Sequence, residues 1–364
     1  MTYLILQGDV IERLRELPDG HFHCCVTSPP YWGLRDYGVA GQIGREASPE
    51  KYIERMVGVF REVRRVLRED STTWVSIGDS YVDKNLVGIP WRLVLALQAD
   101  NWWWRSCIAW TKRNAMPESV CDRPTSSWEP IFLLTKEKRY SYDAEAVRTK
   151  HKRPWWNESV GPGHMIPGRN DGGVRQGSNE SSGANLHNMW PIEDEYVEWN
   201  LGSEPFRGAH FAVFPSEIPR RAILASTSAK GSCPKCGAPW AREIDTHYKN
   251  PGNRTTNGPR NLERRHETAA FAVRLERRTT TTGWHPTCVH DLTSVPCRVL
   301  DPFGGTMTTA LVAEQLGRDS TMIELSAEYC AMGEKRVQAS LPLTQRKPGT
   351  TEGLPLFDLR HTDG

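Results

Sequence analysis

Three groups of residues in this 364-residue chain have the types and spacing to do chemistry. The first is Ser28-Pro29-Pro30-Tyr31, directly after the apolar run Cys24 to Thr27. That run reads as a short buried strand, and two successive prolines must end its regular pairing and hold its polar edge open. The exocyclic amine of a nucleobase is a poor nucleophile because its lone pair is delocalised into the ring. A side-chain oxygen and a backbone carbonyl that both accept its N–H bonds would localise that pair. Ser28 and the Pro29 carbonyl offer such acceptors, and Tyr31 can stack on a base extruded from a duplex. A Pro-Pro turn without chemistry is the other use of such a tetrapeptide.

The second group lies near the C-terminus. Val299-Leu300-Asp301 reads as a strand end, Pro302 to Met307 as a Gly-rich turn, and Thr308 to Gly317 as a helix, with Glu324 closing the next strand. An acid about 20 residues beyond a strand–turn–helix is the pattern of nucleoside-cofactor binding, the turn bringing backbone amides to the ligand and the acid accepting ribose hydroxyls. No Lys-Ser/Thr pair follows and the spacing is not G-x-G-x-x-G, so ATP and NAD fit poorly. An ordinary strand-to-helix connection has the same outline.

The third group is Cys233-Pro234-Lys235-Cys236-Gly237 with Cys288-Val289-His290. A Cys-x-x-Cys-Gly knuckle supplies half of a tetrahedral zinc site and a Cys-x-His pair the other half, with Cys297 or His285 as substitutes. A redox pair would need a thioredoxin-like context that the flanking sequence lacks. Such an ion would staple residues 231–297, whose sequence shows no periodicity.

The elements that must position these groups read as alternating strands and helices. Tyr3 to Gln7 is β-prone and a short helix follows from Val10. Ser48-Pro49-Glu50 opens a helix with a capping hydroxyl, a proline at the first position and an acid in the first turn. Ile53, Met56, Phe60, Val63 and Leu67 share one of its faces. Strands are expected at Thr73 to Ile77, Cys107 to Thr111, Ile131 to Thr135 and Ser320 to Ile323, with helices near Pro90 and over Ala327 to Leu341. Such alternation predicts an α/β sheet. Irregular stretches run from about His151 to Pro205 and from Gly231 to Pro296.

Composition adds exclusions. Lys+Arg 46 against Asp+Glu 44 gives a net charge of +2, which argues against an obligatory polyanion binder but allows a local basic face. There is no apolar run of 18 residues, and Met1 to Asp9 lacks the marks of an export signal, so the expectation is neither membrane-spanning nor secreted. The nine cysteines then point to a reducing compartment and to metal rather than disulfides.

With these motifs in hand, the chain resembles the S-adenosylmethionine-dependent DNA amino-methyltransferases in the permuted β-class order. The family's S/D-P-P-Y motif reads here Thr27-Ser28-Pro29-Pro30-Tyr31-Trp32, and its D-P-F-x-G-x-G-T-T motif reads Asp301-Pro302-Phe303-Gly304-Gly305-Thr306-Met307-Thr308-Thr309. Between them, Trp110 to Pro117 with Asp122-Arg123 and Trp128-Glu129, and His210 to Pro215, also look like the family.

The resemblance implies a doubly wound, Rossmann-like seven-stranded methyltransferase sheet with an irregular recognition insertion and a small zinc-knuckle module. It divides the chain into a catalytic half (1–149), a target-recognition insertion (150–205), a segment and helix carrying Phe214-Pro215 (206–230), the zinc-knuckle module (231–297), a cofactor-binding half (298–341) and a tail (342–364). Carried over by position, Ser28 to Tyr31 bind and activate the base. Asp301, Pro302, Phe303, Gly304, Gly305, Thr306 and Thr308 cradle the methionine part of S-adenosylmethionine, and Glu324 holds its ribose. Asp9 stands near the adenine, and Phe214 and Pro215 close over the cofactor. Lys112, Arg113, Arg123, Arg220 and Arg221 flank stretches that should face double-stranded DNA and are candidate phosphate contacts. Ser28 and the Trp110–Pro117 stretch look like the N4-cytosine enzymes, with N6-adenine as the alternative. The implied setting is a bacterial or phage-infected cytoplasm, with a cognate restriction endonuclease as a possible partner. One position departs: the family usually has glycine where this chain has Met307. A side chain there predicts crowding of the turn, and with it an inactive, zinc-containing DNA-binding homologue as the rival reading.

Overall fold

Ser48 shows how locally an element is dictated. In the computed structural model, which describes residues 3–34, 36, 38–112, 118–148, 185–192, 214–249 and 276–340, its hydroxyl accepts from the Lys51 backbone N–H and Pro49 opens the helix. In chain order the elements are β1 (Tyr3–Gln7), α1 (Val10–Arg15), β2 (Phe22–Thr27), α2 (Pro49–Val66), β3 (Leu67–Ser76), β4 (Tyr81–Val82), β5 (Asn85–Leu86), α3 (Ile89–Ala99), β6 (Trp103–Lys112) and β7 (Trp128–Thr135). They continue with β8 (Met189–Ile192), α4 (Glu217–Ser226), β9 (Trp240–Lys249), β10 (Glu276–Pro286), β11 (Arg298–Asp301), α5 (Thr308–Gln315), β12 (Asp319–Glu324) and α6 (Ala327–Ser340).

The chain divides into two units, one built from Met1–Asp143, Asn188–Ala241 and Pro286–Gly364, the other from Ala144–His187 and Arg242–His285. The first holds the main sheet, in the order β1-β12-β11-β2-β3-β7-β6-β8. Strand β7 runs antiparallel to both neighbours and every other pairing is parallel. Seven strands make the expected doubly wound sheet. The short β8, from the stretch read as an irregular insertion, extends it by an eighth. Central β2 is buried along its whole length, which is why its sequence is a continuous apolar run rather than an alternation. Helix α2 lays Tyr52, Met56, Val59, Phe60, Val63 and Val66 against this sheet, and burying each such side chain contributes about 1.5–3 kcal/mol.

The winding reverses between β11 and β2: one half of the sheet is built outward from β11, the other from β2. In open α/β sheets the crevice at such a reversal, outside the carboxyl ends of the strands, is where ligands bind. Thr27 Oγ1 donates to Asp301 Oδ1 at 2.7 Å and ties these two strand ends together.

Two local expectations are corrected, and one hairpin is added that the sequence did not announce. Leu67, expected on the helix face, is the first residue of β3. The hairpin β4–β5 turns on Asp83 and Lys84, both with positive φ (48° and 64°), a turn that Asn-Gly would have announced and Asp-Lys does not. The stretch from Gly231 to Pro296 is not irregular throughout, since it contains the two long strands β9 and β10. Within the second unit these pair as a two-stranded sheet on which Arg242 lies 4.5 Å from the Trp284 ring centre. Most of the expected insertion 150–205, with Arg113 and the tail, lies outside the described residues. Among the described residues no helix is long and apolar enough to cross a membrane.

Candidate active site

The carboxyl ends of β1, β12, β11, β2 and β3 bring together what the sequence scatters: Asp9, Glu324, the turn after Asp301, Ser28 to Tyr31, and Gly78. Because β7 is antiparallel, its first residues come to the same end, and Glu129 faces Tyr31.

The Tyr31 hydroxyl donates to Glu129 Oε2 at 2.8 Å, and Lys112 Nζ donates to Glu129 Oε1 at 2.7 Å. Ser28 Oγ lies 3.5 Å from Tyr31 Oη with the serine as donor. The tyrosine ring lies over Gly78, where an added β-carbon would come within 2.5 Å of its edge, so position 78 must lack a side chain. Burial first, and the Glu129 charge second, hold the Tyr31 hydroxyl well above its ordinary pKa and keep it protonated. Tyr52 donates to the Pro30 carbonyl at 2.8 Å and fixes the second proline. The sequence assigned Glu129 no role, because its partner is 98 residues away and no local spacing connects them.

Asp301 is fully buried, and its carboxylate is spent inside the protein on Thr27 Oγ1, Thr309 Oγ1 (2.7 Å) and the Phe303 N–H (3.0 Å). Burial pushes its pKa up to about 6 despite these donors. Asp301 therefore braces the turn from beneath. Glu324 accepts from Gly305 N–H (2.9 Å) and Ser326 N–H (2.8 Å), one bond to each oxygen, which leaves acceptor capacity on both. Gly305 has φ +50° and open space where a side chain would stand. Asp9 Oδ1 caps α1 by accepting from Ile11 N–H at 2.9 Å and Glu12 N–H at 3.2 Å. Phe214 is half-buried and Pro215 buried, at the start of α4.

The crowding expected from Met307 does not occur. Its backbone takes the left-handed conformation that glycine would (φ 64°), and its side chain turns inward, fully buried among Ala310, Met322 and Val337. Two glycines make the room: a β-carbon on Gly333 would come within 2.1 Å of Met307 Cγ, and one on Gly304 within 3.0 Å of its sulfur. The cost of αL for a non-glycine residue is about 1–2 kcal/mol, which burial of the side chain offsets.

At the other end of the same strands, Cys233, Cys236, Cys288 and His290 place one ligand atom each within 4.8 Å of one another. Cys233 Sγ and His290 Nδ1 are 3.7 Å apart, close to the roughly 3.6 Å edge of a tetrahedron with zinc-type bond lengths. The knuckle closes by Gly237 N–H to Cys233 O (2.8 Å), with Gly237 at φ 70°. The backbone N–H of Cys236 first, then that of Lys235, draws the Cys233 thiol down to about 6, towards the thiolate a metal needs. His23, at the start of β2, approaches Gly237 O at 2.9 Å through Nε2 and accepts the Arg298 N–H at Nδ1 (3.0 Å), which defines a neutral ring with its proton on Nε2. Arg68 donates to the Cys236 carbonyl at 2.6 Å. The substitutes are not in the set: Cys297 is buried against Ser228 O, and His285 lies on β10 beside Glu243. Cys121 is exposed.

The described basic candidates all have protein partners. Lys112 is bound to Glu129, and Arg123 pairs with Glu118 at 2.6 Å and lies 4.2 Å from the Tyr81 ring centre. Arg220 and Arg221 both pair with Glu217. A phosphate contact from any of them has to compete with these pairs. Pro296-Cys297, the chain's one Pro-Cys pair, lies at the start of β11, at the sheet end opposite Ser28, with its thiol pushed up to about 11 by burial. It is no nucleophile for a base held at Ser28.

Comparison with known proteins gives findings of three kinds, from a family model, from relatives and from solved structures. The N6/N4 DNA methylase family model matches residues 22–233 and 287–335. The type II methyltransferase M.SmaI of Serratia marcescens is 32% identical over 362 residues, covering 92% of this chain and 90% of that protein. M.Cfr9I of Citrobacter freundii, also a type II methyltransferase, is 41% identical over 252 residues, 61% of this chain and 72% of that protein. Among solved structures, the cytosine-N4-specific PvuII DNA methyltransferase aligns with a TM-score of 0.53 over 93% of this chain and 85% of that one, at 15% identity, a likeness of fold. TTHA0409 of Thermus thermophilus, complexed with S-adenosyl-L-methionine, aligns at 0.50 with 18% identity, over 94% of this chain and 97% of that one.

Proposed function

The chain belongs to the N6/N4 DNA methylase family, and from that premise we propose that it transfers a methyl group from S-adenosylmethionine to the exocyclic N4 amine of a cytosine flipped out of duplex DNA. The observation that carries this reading is the placement of Ser28 and the Gly305 turn on adjacent strand ends, clamped by the Thr27–Asp301 bond of 2.7 Å. The residues fit the cofactor: the turn is open at Gly305, Glu324 retains acceptors for ribose hydroxyls, and Met307 points away. When bound, S-adenosylmethionine supplies an electrophilic methyl on a sulfonium.

What the chain's own residues do is orient and accept. Ser28 Oγ and the Pro29 carbonyl take the amine's N–H bonds, localise its lone pair and fix its approach, so that catalysis is mainly positioning and hydrogen bonding. Tyr31, pinned at its hydroxyl, offers its ring to the base. Ser28 in the first motif position supports cytosine over adenine. Cys233, Cys236, Cys288 and His290 would hold a structural zinc ion, at the end of the strands opposite Ser28. A role beside a cognate endonuclease follows the type II names of the relatives.

The test is to incubate the purified chain with labelled S-adenosylmethionine and unmethylated DNA, digest to nucleosides and identify the product by mass. N4-methylcytosine is expected. N6-methyladenine would keep the mechanism and overturn the base, and unlabelled DNA with no cofactor binding by calorimetry would overturn the reading.

A further inference from the structure

On the footing that Ser28 receives the amine, we propose that Glu129 is a positioning residue that sets the direction of the hydrogen bonds at the active site, acting through Tyr31 and held in register by Lys112. A hydroxyl has one proton to give and two lone pairs with which to accept. If Tyr31 gave its proton to Ser28, the serine proton would be free to point at the incoming amine, and donor would face donor. Glu129 prevents this. Its ionised carboxylate can only accept, so it takes the Tyr31 proton (2.8 Å). Tyr31 Oη is then left to accept from Ser28, which stands 3.5 Å away as the donor. Both lone pairs of Ser28 are thereby turned outward as acceptors, as amine activation requires. Lys112, at 2.7 Å from the other carboxylate oxygen and 5.0 Å from the Trp110 ring centre, fixes which oxygen faces Tyr31. Glu129 is half-buried, so solvent does not fill either role unaided.

The direction of the chain of bonds, and not the presence of a side chain, is what the test must read. Glu129→Gln keeps the shape. Its amide must give its oxygen to Lys112 and its NH2 to Tyr31, which reverses the order, so kcat is expected to fall 10- to 100-fold with the S-adenosylmethionine Kd unchanged. Adding Lys112→Met frees the glutamine to present its oxygen to Tyr31, and the double variant is expected to recover at least a third of the lost kcat. In a Tyr31→Phe background, Glu129→Gln is expected to cost less than twofold further, because its only route to Ser28 is gone. Independent of turnover, the 13Cζ resonance of labelled Tyr31, assigned by its loss in Tyr31→Phe, is expected to move in Glu129→Gln and return in the double variant. Multiplicative losses in the Tyr31→Phe background, no recovery in the double variant, or an unmoved resonance would each overturn the proposal. If the parent chain methylates no DNA, the transfer reading fails on that baseline alone, and the resonance still decides the direction of the bonds.

Discussion

The two ends of one set of strands make opposite use of the same sheet. At the carboxyl ends of β2, β11 and β12, Ser28, Gly305 and Glu324 keep unused acceptors or open space, and the groups that are saturated, Asp301 and Tyr31, serve to hold them. At the amino ends, His23, Arg68 and the Arg298 backbone spend their polar atoms on bonds within the protein, two of them to the carbonyls of the knuckle. One end is built to receive and the other to close. The family model matches residues 22–233 and 287–335, which takes in Ser28, Gly305 and Glu324 at one end and Cys233, Cys288 and His290 at the other, and leaves out Cys236.

The largest effect that could break this contrast is metal loss. The purified chain is expected to carry one zinc per molecule, released to a chromogenic chelator, and Cys236→Ser to carry none. Structural zinc contributes on the order of 10 kcal/mol in small modules, so the variant should lose the knuckle and melt far lower. Below its melt it should still bind S-adenosylmethionine, because the turn lies at the other end. A metal-free parent with the same melting temperature would remove the closing role altogether.

Next in size is the packing beneath the turn. Gly333→Ala puts a methyl group within 2.1 Å of Met307 Cγ and is expected to cost about 3 kcal/mol in urea unfolding. Met307→Ala in the same chain should return most of it. Cofactor affinity should change less than twofold in both, since Met307 faces the core. A large loss of affinity with unchanged stability would mean that Met307 belongs to the receiving end after all.

How much of this was legible beforehand depended on the range over which residues cooperate. Ser48-Pro49-Glu50, the Pro-Pro turn, the Asp301–Glu324 spacing and the Cys-x-x-Cys-Gly knuckle are local, and the structure has the elements where the sequence put them. What escaped was long-range. The inward turn of Met307 depends on Gly333, 26 residues on and one helix away, and a lone glycine in a helix carries no such message. Glu129 meets Tyr31 only because β7 runs antiparallel. Strands β9 and β10 escaped for another reason: Arg-Arg-Thr-Thr-Thr-Thr offers β-branched residues without the apolar alternation that marks a half-buried strand.

The smallest effect sharpens the comparison through pH, because the two ends titrate with opposite sign. His23 is held down to about 4 by burial and then by the Arg68 charge, against 6.5 in the unfolded chain. Between those values the unfolded chain binds a proton that the native one refuses, so this end loses stability as pH falls from about 6.5 to 4. Asp301 is raised from 3.8 to about 6, so the native chain keeps a proton that the unfolded one has lost. That end loses stability as pH rises from about 4 to 6. Each shift is worth no more than about 3 kcal/mol, and over the shared window they nearly cancel. His23→Gln should therefore expose the Asp301 slope and Asp301→Asn the His23 slope, read as the difference from the parent in urea unfolding at pH 4, 5, 6 and 7. Taking the difference limits the contribution of acid release of metal, which all three chains share. If both variants run parallel to the parent across the window, the buried groups do not differ in charge between the folded and unfolded states, and the opposition of the two ends is geometric only.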